Sequence, residues 1–340
     1  MEQDTLSEVL RSIRLRGTVF FHLQGRAPWV VESPPTSEIA SAVIPGAEHV
    51  MAYHVVTRGS CWVGVVGEQP ALVREGDIVV FPHGDRHVLS STPHMRARQA
   101  VDPNLFPARI GPPFFVDVHG DQPTLVAPEA DGGSGRAVLV CGFLGCDVRP
   151  FNPLIASLPR LLIERAGQGS PEGWLAQFVR SCGAGEGKLR PGDGAVLERM
   201  SEMMVLDLVR RHLERLPETQ GGWLGGLRDR FVGRALALMH AHPDRAWTID
   251  RLADETGLSR SALHERFVQF TGQAPMQYLA GWRMQLASGL LRQSDADVTS
   301  IALEVGYESV AAFSRAFKRA TGLAPTAWRK DAAANRPGPG

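Results

Sequence analysis

His264-Glu265-Arg266-Phe267 and Ser314-Arg315-Ala316-Phe317 occupy matching places in two copies of one pattern near the end of this 340-residue chain. Imidazole, carboxylate, guanidinium and hydroxyl groups presented together are the side chains that hydrogen-bond to duplex DNA. The first copy runs Leu252-Ala253-Asp254-Glu255-Thr256-Gly257-Leu258-Ser259, then Leu263 to Phe267, then Thr271-Gly272-Gln273-Ala274-Pro275. The second runs Ile301-Ala302-Leu303-Glu304-Val305-Gly306-Tyr307, then Phe313 to Phe317, then Thr321-Gly322-Leu323-Ala324-Pro325. Ala253 and Ala302 are 49 apart, whereas Phe267 and Phe317 are 50 apart, so the second copy has gained one residue in its turn. Two such copies read as a pair of DNA-reading helices.

Other residues with chemical potential lie upstream. His54 and His87 are available as hydrogen-bonding groups or ligands. Cys141 and Cys146, with four residues between them, have a spacing at which two thiolates share a zinc, but no second pair accompanies them. The flanking Val138-Leu139-Val140 and Gly142-Phe143-Leu144 read as buried strand. Structural cysteine is therefore the expectation, with a metal or redox thiol as the alternative. Cys61 and Cys182 complete a set of four that makes no disulfide framework in a chain this long.

The elements that must position these groups change character along the chain. From Gly17 to Cys146 short β-rich runs such as Ala52-Tyr53-His54-Val55-Val56 alternate with Gly and Pro, which predicts a β-barrel or sandwich; Asp131-Gly132-Gly133-Ser134-Gly135 reads as a loop. After Asn152-Pro153 the period becomes helical, with Leu154, Leu158, Leu161 and Leu162 at helical spacing. Residues 194–216 predict an amphipathic helix with Leu197, Met200, Met204, Leu208 and Val209 on one stripe, expected to form a homodimer seam or to pack on its own domain. Residues 217–226, with Gly221-Gly222 and Gly225-Gly226, read as a linker, residues 227–330 as all helical, and residues 331–340 as a disordered tail. The expected fold class is α+β, with a β-barrel domain over 1–150, a helical connector over 151–216 and an all-α domain over 227–330.

The repeat meets the physical needs of a helix–turn–helix. A small residue is needed where the helices cross, a glycine at the turn, and an apolar anchor inside the second helix. Ala253, Gly257 and Leu263 supply these in one copy and Ala302, Gly306 and Phe313 in the other, with Thr248 and Ser259 as N-caps. Pro275 to Leu291 predicts one long helix between the copies, using Tyr278, Leu279, Trp282, Met284 and Leu286 for packing. Such a helix fixes the distance between two readers; successive major-groove faces of duplex DNA are about 34 Å apart, within reach of a single chain. Formal net charge is zero, but residues 1–226 carry 21 Lys/Arg against 25 Asp/Glu, and residues 227–330 carry 14 against 10. The positive excess lies with the repeats, as phosphate attraction requires.

These residues resemble the DNA-binding domain of the AraC/XylS family of bacterial transcription regulators. The second copy is the more diagnostic: Ile301-Ala302, Gly306-Tyr307, Phe313-Ser314-Arg315-Ala316-Phe317-Lys318, Gly322, Ala324-Pro325 and Trp328-Arg329 follow the family signature, with Trp328 where Tyr is commoner. The resemblance covers 228–330 and implies that the second helix of each motif enters the major groove. It assigns the first reader to residues 259–270, exposing Arg260, Ser261, His264, Glu265 and Arg266, and the second to 309–319, exposing Val310, Ala311, Ser314, Arg315, Lys318 and Arg319. On that reading Arg315 forks onto guanine, Val310 or Ala311 touches a thymine methyl, and Glu265 accepts from cytosine or positions an arginine. Arg260, Lys318 and Arg319 are expected on phosphates, and Phe267, Phe313 and Phe317 in the core.

The stretch Gly76-Asp77-Ile78-Val79-Val80-Phe81-Pro82-His83-Gly84-Asp85-Arg86-His87 matches the second cupin motif, a strand and tight turn that aim a histidine into a barrel. With His54 to Trp62, Val140-Cys141-Gly142-Phe143 and Asn152-Pro153-Leu154, it resembles the cupin-type N-terminal domain of one branch of AraC-like regulators. Metal-binding cupins use a His-x-His pair and a Glu in the first motif; here Ala52 stands two before His54 and the Glu is missing. His49, His83 or a carboxylate would have to complete a site. The expectation is a non-enzymatic barrel without a metal or other cofactor, binding an unknown small-molecule effector at His54 and His87. Trp62 and Phe81 are expected to pack the barrel. Expected partners are double-stranded operator DNA, a second copy of the chain and RNA polymerase, with no membrane. Met1-Glu2-Gln3-Asp4 lacks a signal-peptide layout, so the expected location is cytoplasmic. The alternatives are a metal-dependent cupin enzyme fused to a DNA-binding domain and a thiol-based redox sensor.

Overall fold

The computed structural model describes residues 5–12, 15, 20–102, 114–126, 136–166, 193–217 and 221–334. In chain order the first elements are α1 (Thr5–Ser12), β1 (Phe20–Ser33), α2 (Thr36–Val43), β2 (His49–Arg58), β3 (Ser60–Val65), β4 (Ala71–Arg74), β5 (Ile78–Phe81) and β6 (His87–Ser90). There follow β7 (Phe114–Gly120), β8 (Gln122–Val126), β9 (Arg136–Cys146), α3 (Pro153–Ser157), β10 (Leu162–Glu164) and α4 (Asp193–Arg215). The rest is helical: α5 (Gly222–Arg228), α6 (Arg230–Ala241), α7 (Ile249–Thr256), α8 (Arg260–Thr271), α9 (Pro275–Gln293), α10 (Val298–Glu304), α11 (Val310–Thr321) and α12 (Pro325–Ala334). Two compact units result, one of Leu15–Asp147 with Leu158–Arg210, the other of Met1–Arg14, Val148–Ser157 and Arg211–Gly340.

In the β unit the strands join in the order β10-β5-β2-β9-β1-β6-β3-β4, with β7 added to β1 and β8 to β7. Strand β1 turns the corner: its first half pairs with β9, Phe20 to Gly142 through Arg26 to Arg136, and its second half with β6, Val30 to Ser90 through Ser33 to His87. The two wings thus face one another across a core of Leu23, Trp29, Val31, Val56, Cys61, Val63, Val79, Phe81, Leu89, Leu139, Cys141 and Phe143. Phe81 packs this core as expected, while Trp62 is only half-buried. Alternate residues of β2 enter the interior. Those between, Met51, Tyr53 and Val55, are equally buried, and Tyr53 hydrogen-bonds through its hydroxyl to Ser201 of α4 at 3.0 Å. A strand covered on both sides reads as continuous apolar sequence, which is the pattern found.

Helix α4 lies where its periodicity predicts, but its apolar stripe is not open. Leu197, Met204, Leu208 and Val209 are at most 3% exposed and Met200 is half-buried. A homodimer seam along that stripe is therefore corrected to packing within the chain; among the described residues the large apolar side chains that α4 exposes are Val196 and Met203.

The expected linker is corrected as well. Residues 222–228 form α5, in which Trp223 and Leu224 are buried and Trp223 donates its indole N–H to Tyr278 Oη at 2.7 Å. Its glycines serve closeness rather than flexibility: a Cβ on Gly226 would stand 3.2 Å from Phe270 Cβ. The segments α1 and Val148–Ser157 were expected with the β-barrel domain and the connector, yet both belong to the helical unit. Phe151 packs edge-on against Tyr278 at 5.1 Å, and its N–H donates to Gln285 Oε1 at 3.2 Å. Leu162 lies in β10, paired with Val80, not in a helix; Pro159 interrupts the helical period just before it. At the other end α12 continues through Ala334, past the expected start of the tail. Residues 131–135 and Cys182 lie outside the described residues.

Candidate nucleic-acid interface and barrel histidines

Each DNA-reading motif is assembled by local chemistry that the sequence announces. Thr248 Oγ1 accepts the N–H of Arg251 at 3.2 Å to start α7, and Ser259 Oγ accepts that of Ala262 at 3.3 Å to start α8. In the second copy Asp297 caps α10 through the N–H of Ser300 at 2.9 Å and Ser309 caps α11 through that of Ala312 at 3.4 Å. The extra residue falls between Gly306 and Ser309, where Gly257 and Ser259 are one residue closer. Both turn glycines adopt positive φ, 75° at Gly257 and 84° at Gly306, a region that a side chain disfavours.

The inner faces of the readers are aromatic. Phe267, Phe313 and Phe317 are fully buried. Phe267 meets Tyr278 edge-on at 5.6 Å and Phe317 meets Trp328 edge-on at 5.8 Å. Pinning these rings inward turns the other face out. On α8 Arg260, Ser261, His264 and Glu265 are exposed; on α11 Ala311, Arg315, Lys318 and Arg319 are exposed, with Val310 and Ser314 half-buried. At the 50-residue offset Ser261 corresponds to Ala311, His264 to Ser314 and Glu265 to Arg315, so the readers carry opposite charge at one equivalent position. Beside α8 a cleft of about 500 Å³ is lined by Ile249, Arg260, Ser261, His264, Glu265 and Ala274 to Met276.

Arg266 is the exception among the expected contacts. Its guanidinium holds both carboxylate oxygens of Asp229 at 2.5 to 3.0 Å and lies over the Phe231 ring. Asp229 simultaneously caps α6 by accepting from Phe231 and Val232 N–H. That fork is engaged within the protein, so Arg266, expected among the exposed contacts of the first reader, braces α8 against α6 instead. Arg260 is only loosely paired, 3.7 Å from Asp250. Sequence reasoning missed Asp229, whose signal is an aspartate directly before a helical run.

In the β unit His54 on β2 and His87 on β6 meet across the interior, Nε2 to Nε2 at 3.1 Å. His87 Nδ1 lies 2.9 Å from the Asp85 carbonyl oxygen, which only accepts, so the proton is on Nδ1 and its Nε2 is the acceptor. His54 must then donate from Nε2, which leaves its Nδ1 a buried lone pair with no partner among the described residues. Burial drives both imidazoles toward the neutral form, His87 down to about 4 and His54 well below the ordinary histidine value. Phe81 stacks on His87 at 3.9 Å. His49 and His83 each spend Nε2 on a backbone carbonyl, of Pro82 and Leu158. Among the described residues no third His, Cys, Asp or Glu joins the His54–His87 pair to hold a metal ion.

Among the described residues Cys61, Cys141 and Cys146 are free thiols. Cys141 faces the core and Cys146, five residues on, faces the other side of β9. Five residues of strand span about 16 Å, beyond the reach of a disulfide or a shared zinc. Burial pushes the Cys146 thiol up to about 12 and the Cys141 thiol up likewise, which removes the thiolate that a redox or metal site requires. A Cys141–Cys146 redox centre is accordingly ruled out by geometry.

Comparison with known proteins agrees with this assembly. Residues 4–214 match the family described as Cupin, and residues 252–331 match the family described as Helix-turn-helix domain. Proteins of Streptomyces lividans and Streptomyces antibioticus that carry AraC-like transcription regulator in their names are 32% and 30% identical over 330 residues, covering 96% of this chain and 98% of each relative. The HTH-type transcriptional regulator AlkR of Acinetobacter baylyi is 25% identical over 328 residues, covering 96% of this chain and 99% of its own. The chain therefore belongs to the AraC-like transcription regulators, DNA-binding proteins that join an N-terminal ligand-binding cupin domain to a helical domain with two helix–turn–helix motifs.

Proposed function

We propose that this regulator reads double-stranded operator DNA with α8 and α11 together, through Arg260, Ser261, His264, Glu265, Val310, Ala311, Ser314, Arg315, Lys318 and Arg319. The observation that carries the reading is the agreement of two independent faces. The aromatic rings of both readers point inward, and the polar residues at equivalent positions point outward, in one compact unit joined by α9. Arg315 supplies the guanine fork, while Arg260, Lys318 and Arg319 hold phosphates and fix register.

Selecting duplexes from a randomised pool with the full chain and titrating the winner at fixed salt tests this. Arg315→Ala is expected to lose roughly 1–3 kcal/mol and to relax preference at one base pair. Unchanged affinity and unchanged preference would remove Arg315 from the contact set.

The same proposal makes the barrel a sensor rather than an enzyme. The unpartnered Nδ1 of His54 supports a small effector that presents a hydrogen-bond donor, and His87 holds His54 in the tautomer that accepts it. Iron, manganese or zinc found at stoichiometric level and lost on His87→Ala would favour the catalytic reading instead. An effector acts only by its differential affinity for two arrangements of the protein. The chain's own path supports a route for that, because it leaves the β unit after Asp147, enters the helical unit with Val148–Ser157 and returns at Leu158. A homodimer that uses Val196 and Met203, and RNA polymerase as the target of activation in the cytoplasm, complete the proposal.

A further inference from the structure

We propose that Arg283 is a positioning residue for DNA reading: it clamps the turn of the second helix–turn–helix to the loop that enters the first, and so sets the angle between α8 and α11. The inference rests on the two-reader proposal and extends it to a residue that touches no DNA.

Arg283 stands on α9, the helix between the two motifs. Its Nε donates to the Pro243 carbonyl at 2.7 Å and its Nη2 to the Arg245 carbonyl at 2.9 Å. Both acceptors lie in the loop between α6 and α7. The other side of the guanidinium faces the second motif, 5.8 Å from the centre of the Tyr307 ring. Tyr307 in turn meets Phe313 of α11 edge-on at 5.7 Å. A continuous path therefore runs from the loop that precedes α7, through one planar cation, to the inner face of the second reader.

The loop is stiff enough to transmit position. Trp247 donates its indole N–H to the His242 carbonyl at 2.9 Å and its backbone N–H to Arg245 at 2.8 Å. The Arg245 guanidinium lies 4.4 Å from the Trp247 ring. Thr248, the cap of α7, is the next residue.

The two turn glycines record the same contact by their difference. A Cβ on Gly257 would meet nothing within 4 Å, whereas one on Gly306 would stand 2.7 Å from Arg283 Nη2, 2.7 Å from the Asp244 carbonyl oxygen and 2.8 Å from Asp244 Cα. Positive φ accounts for glycine in both motifs, but only Gly306 is also crowded by the other motif's loop. The second turn is therefore an interface between the motifs, with Arg283 at its centre. Two readers on a rigid body accept one spacing of their target segments; readers on a loose hinge accept several.

The test uses the full chain and the duplex it selects from a randomised pool. Footprinting locates the two protected segments, and a series of duplexes then carries one or two base pairs added or removed between them. The wild type is expected to prefer its selected spacing by about tenfold or more, comparable to the cost of a mismatched base pair. Arg283→Ala is expected to lose most of that preference while still protecting each segment, and Arg283→Lys, which keeps the charge but cannot place two N–H groups on two carbonyls in one plane, to fall between. A merely structural role would lower affinity evenly at every spacing. Such an even loss, or full retention of the preference in both variants, overturns the clamp. If Arg283→Ala unfolds, Arg283→Lys alone carries the comparison. A wild-type chain that protects a single segment overturns the two-reader proposal itself, and the clamp falls with it.

Discussion

Phe317→Ala is expected to lower the unfolding free energy of the helical unit by about 3–5 kcal/mol, the range for emptying a buried aromatic site. Phe317 is fully buried, its ring 5.6 Å from Phe313 and 5.8 Å from Trp328. Met284, Leu291, Ile301 and Val305 belong to the same cluster, held by α9 and by α10 with its C-cap, so the space cannot collapse onto the missing ring. The neighbouring residue supplies the control. Lys318 is exposed, and Lys318→Ala is expected to change stability by no more than about 0.5 kcal/mol while reducing the salt dependence of DNA affinity by about one unit of slope. Urea unfolding followed by far-ultraviolet circular dichroism gives the first quantity, and operator titrations at several salt concentrations give the second. A Phe317→Ala loss below 1 kcal/mol would mean that α11 presents a different face to its core, and the proposed reading surface would turn away with it.

How far these features were legible in the sequence depended on the range of the interactions behind them. The two motifs were legible because their determinants are local: a cap beside its helix, a glycine at its turn, a small residue where helices cross. The aromatic floor was expected from the motif's need for an apolar anchor and from the family resemblance. Arg266 was not legible, because the carboxylate that occupies it, Asp229, is 37 residues away. Helix α5 was hidden by its glycines, which signal looseness locally but here admit Phe270 to close contact. The stripe on α4 announced burial without naming its partner; Tyr53, 148 residues earlier, supplies one. Docking of Val148–Ser157 in the helical unit depends on Phe151 meeting Gly281, where a Cβ would stand 2.9 Å from the ring. In the barrel the sequence set His54 and His87 side by side as candidates, but only the fold shows that the two share a single hydrogen bond.

Acid should weaken the β unit well before its carboxylates titrate, and the histidine pair is the reason. His54 and His87 are neutral in the folded protein, with burial the largest cause of both lowered values. The Asp85 carboxylate, which pulls His87 the other way, is itself held low chiefly by its hydrogen bond from Arg160, with Coulombic help from Arg160 and the nearby histidines. In the unfolded chain each imidazole takes a proton near pH 6.5; in the folded protein His87 does so only near 4. Between these values the unfolded state binds more protons, so stability is fully present above about pH 6.5 and falls as pH drops toward 4, by up to about 1.4 kcal/mol per pH unit for each group. For two such groups the drop from pH 6.5 to 5 is about 3 kcal/mol. Glu32 and Asp85 have lowered values and contribute only at more acid pH. In the helical unit His240, buried and held down to about 3, adds a separate loss of the same sign. Calorimetric unfolding at pH 7 and pH 5, on the wild type and on the double variant His54→Leu, His87→Leu, isolates the pair: the variant's β unit should lose clearly less stability than the wild type's over this range, keeping the loss from His49, whose value burial also lowers. If the variant loses as much stability between the two pH values as the wild type, the pair is not neutral and enclosed, and the tautomer that leaves His54 Nδ1 open to an effector goes with it.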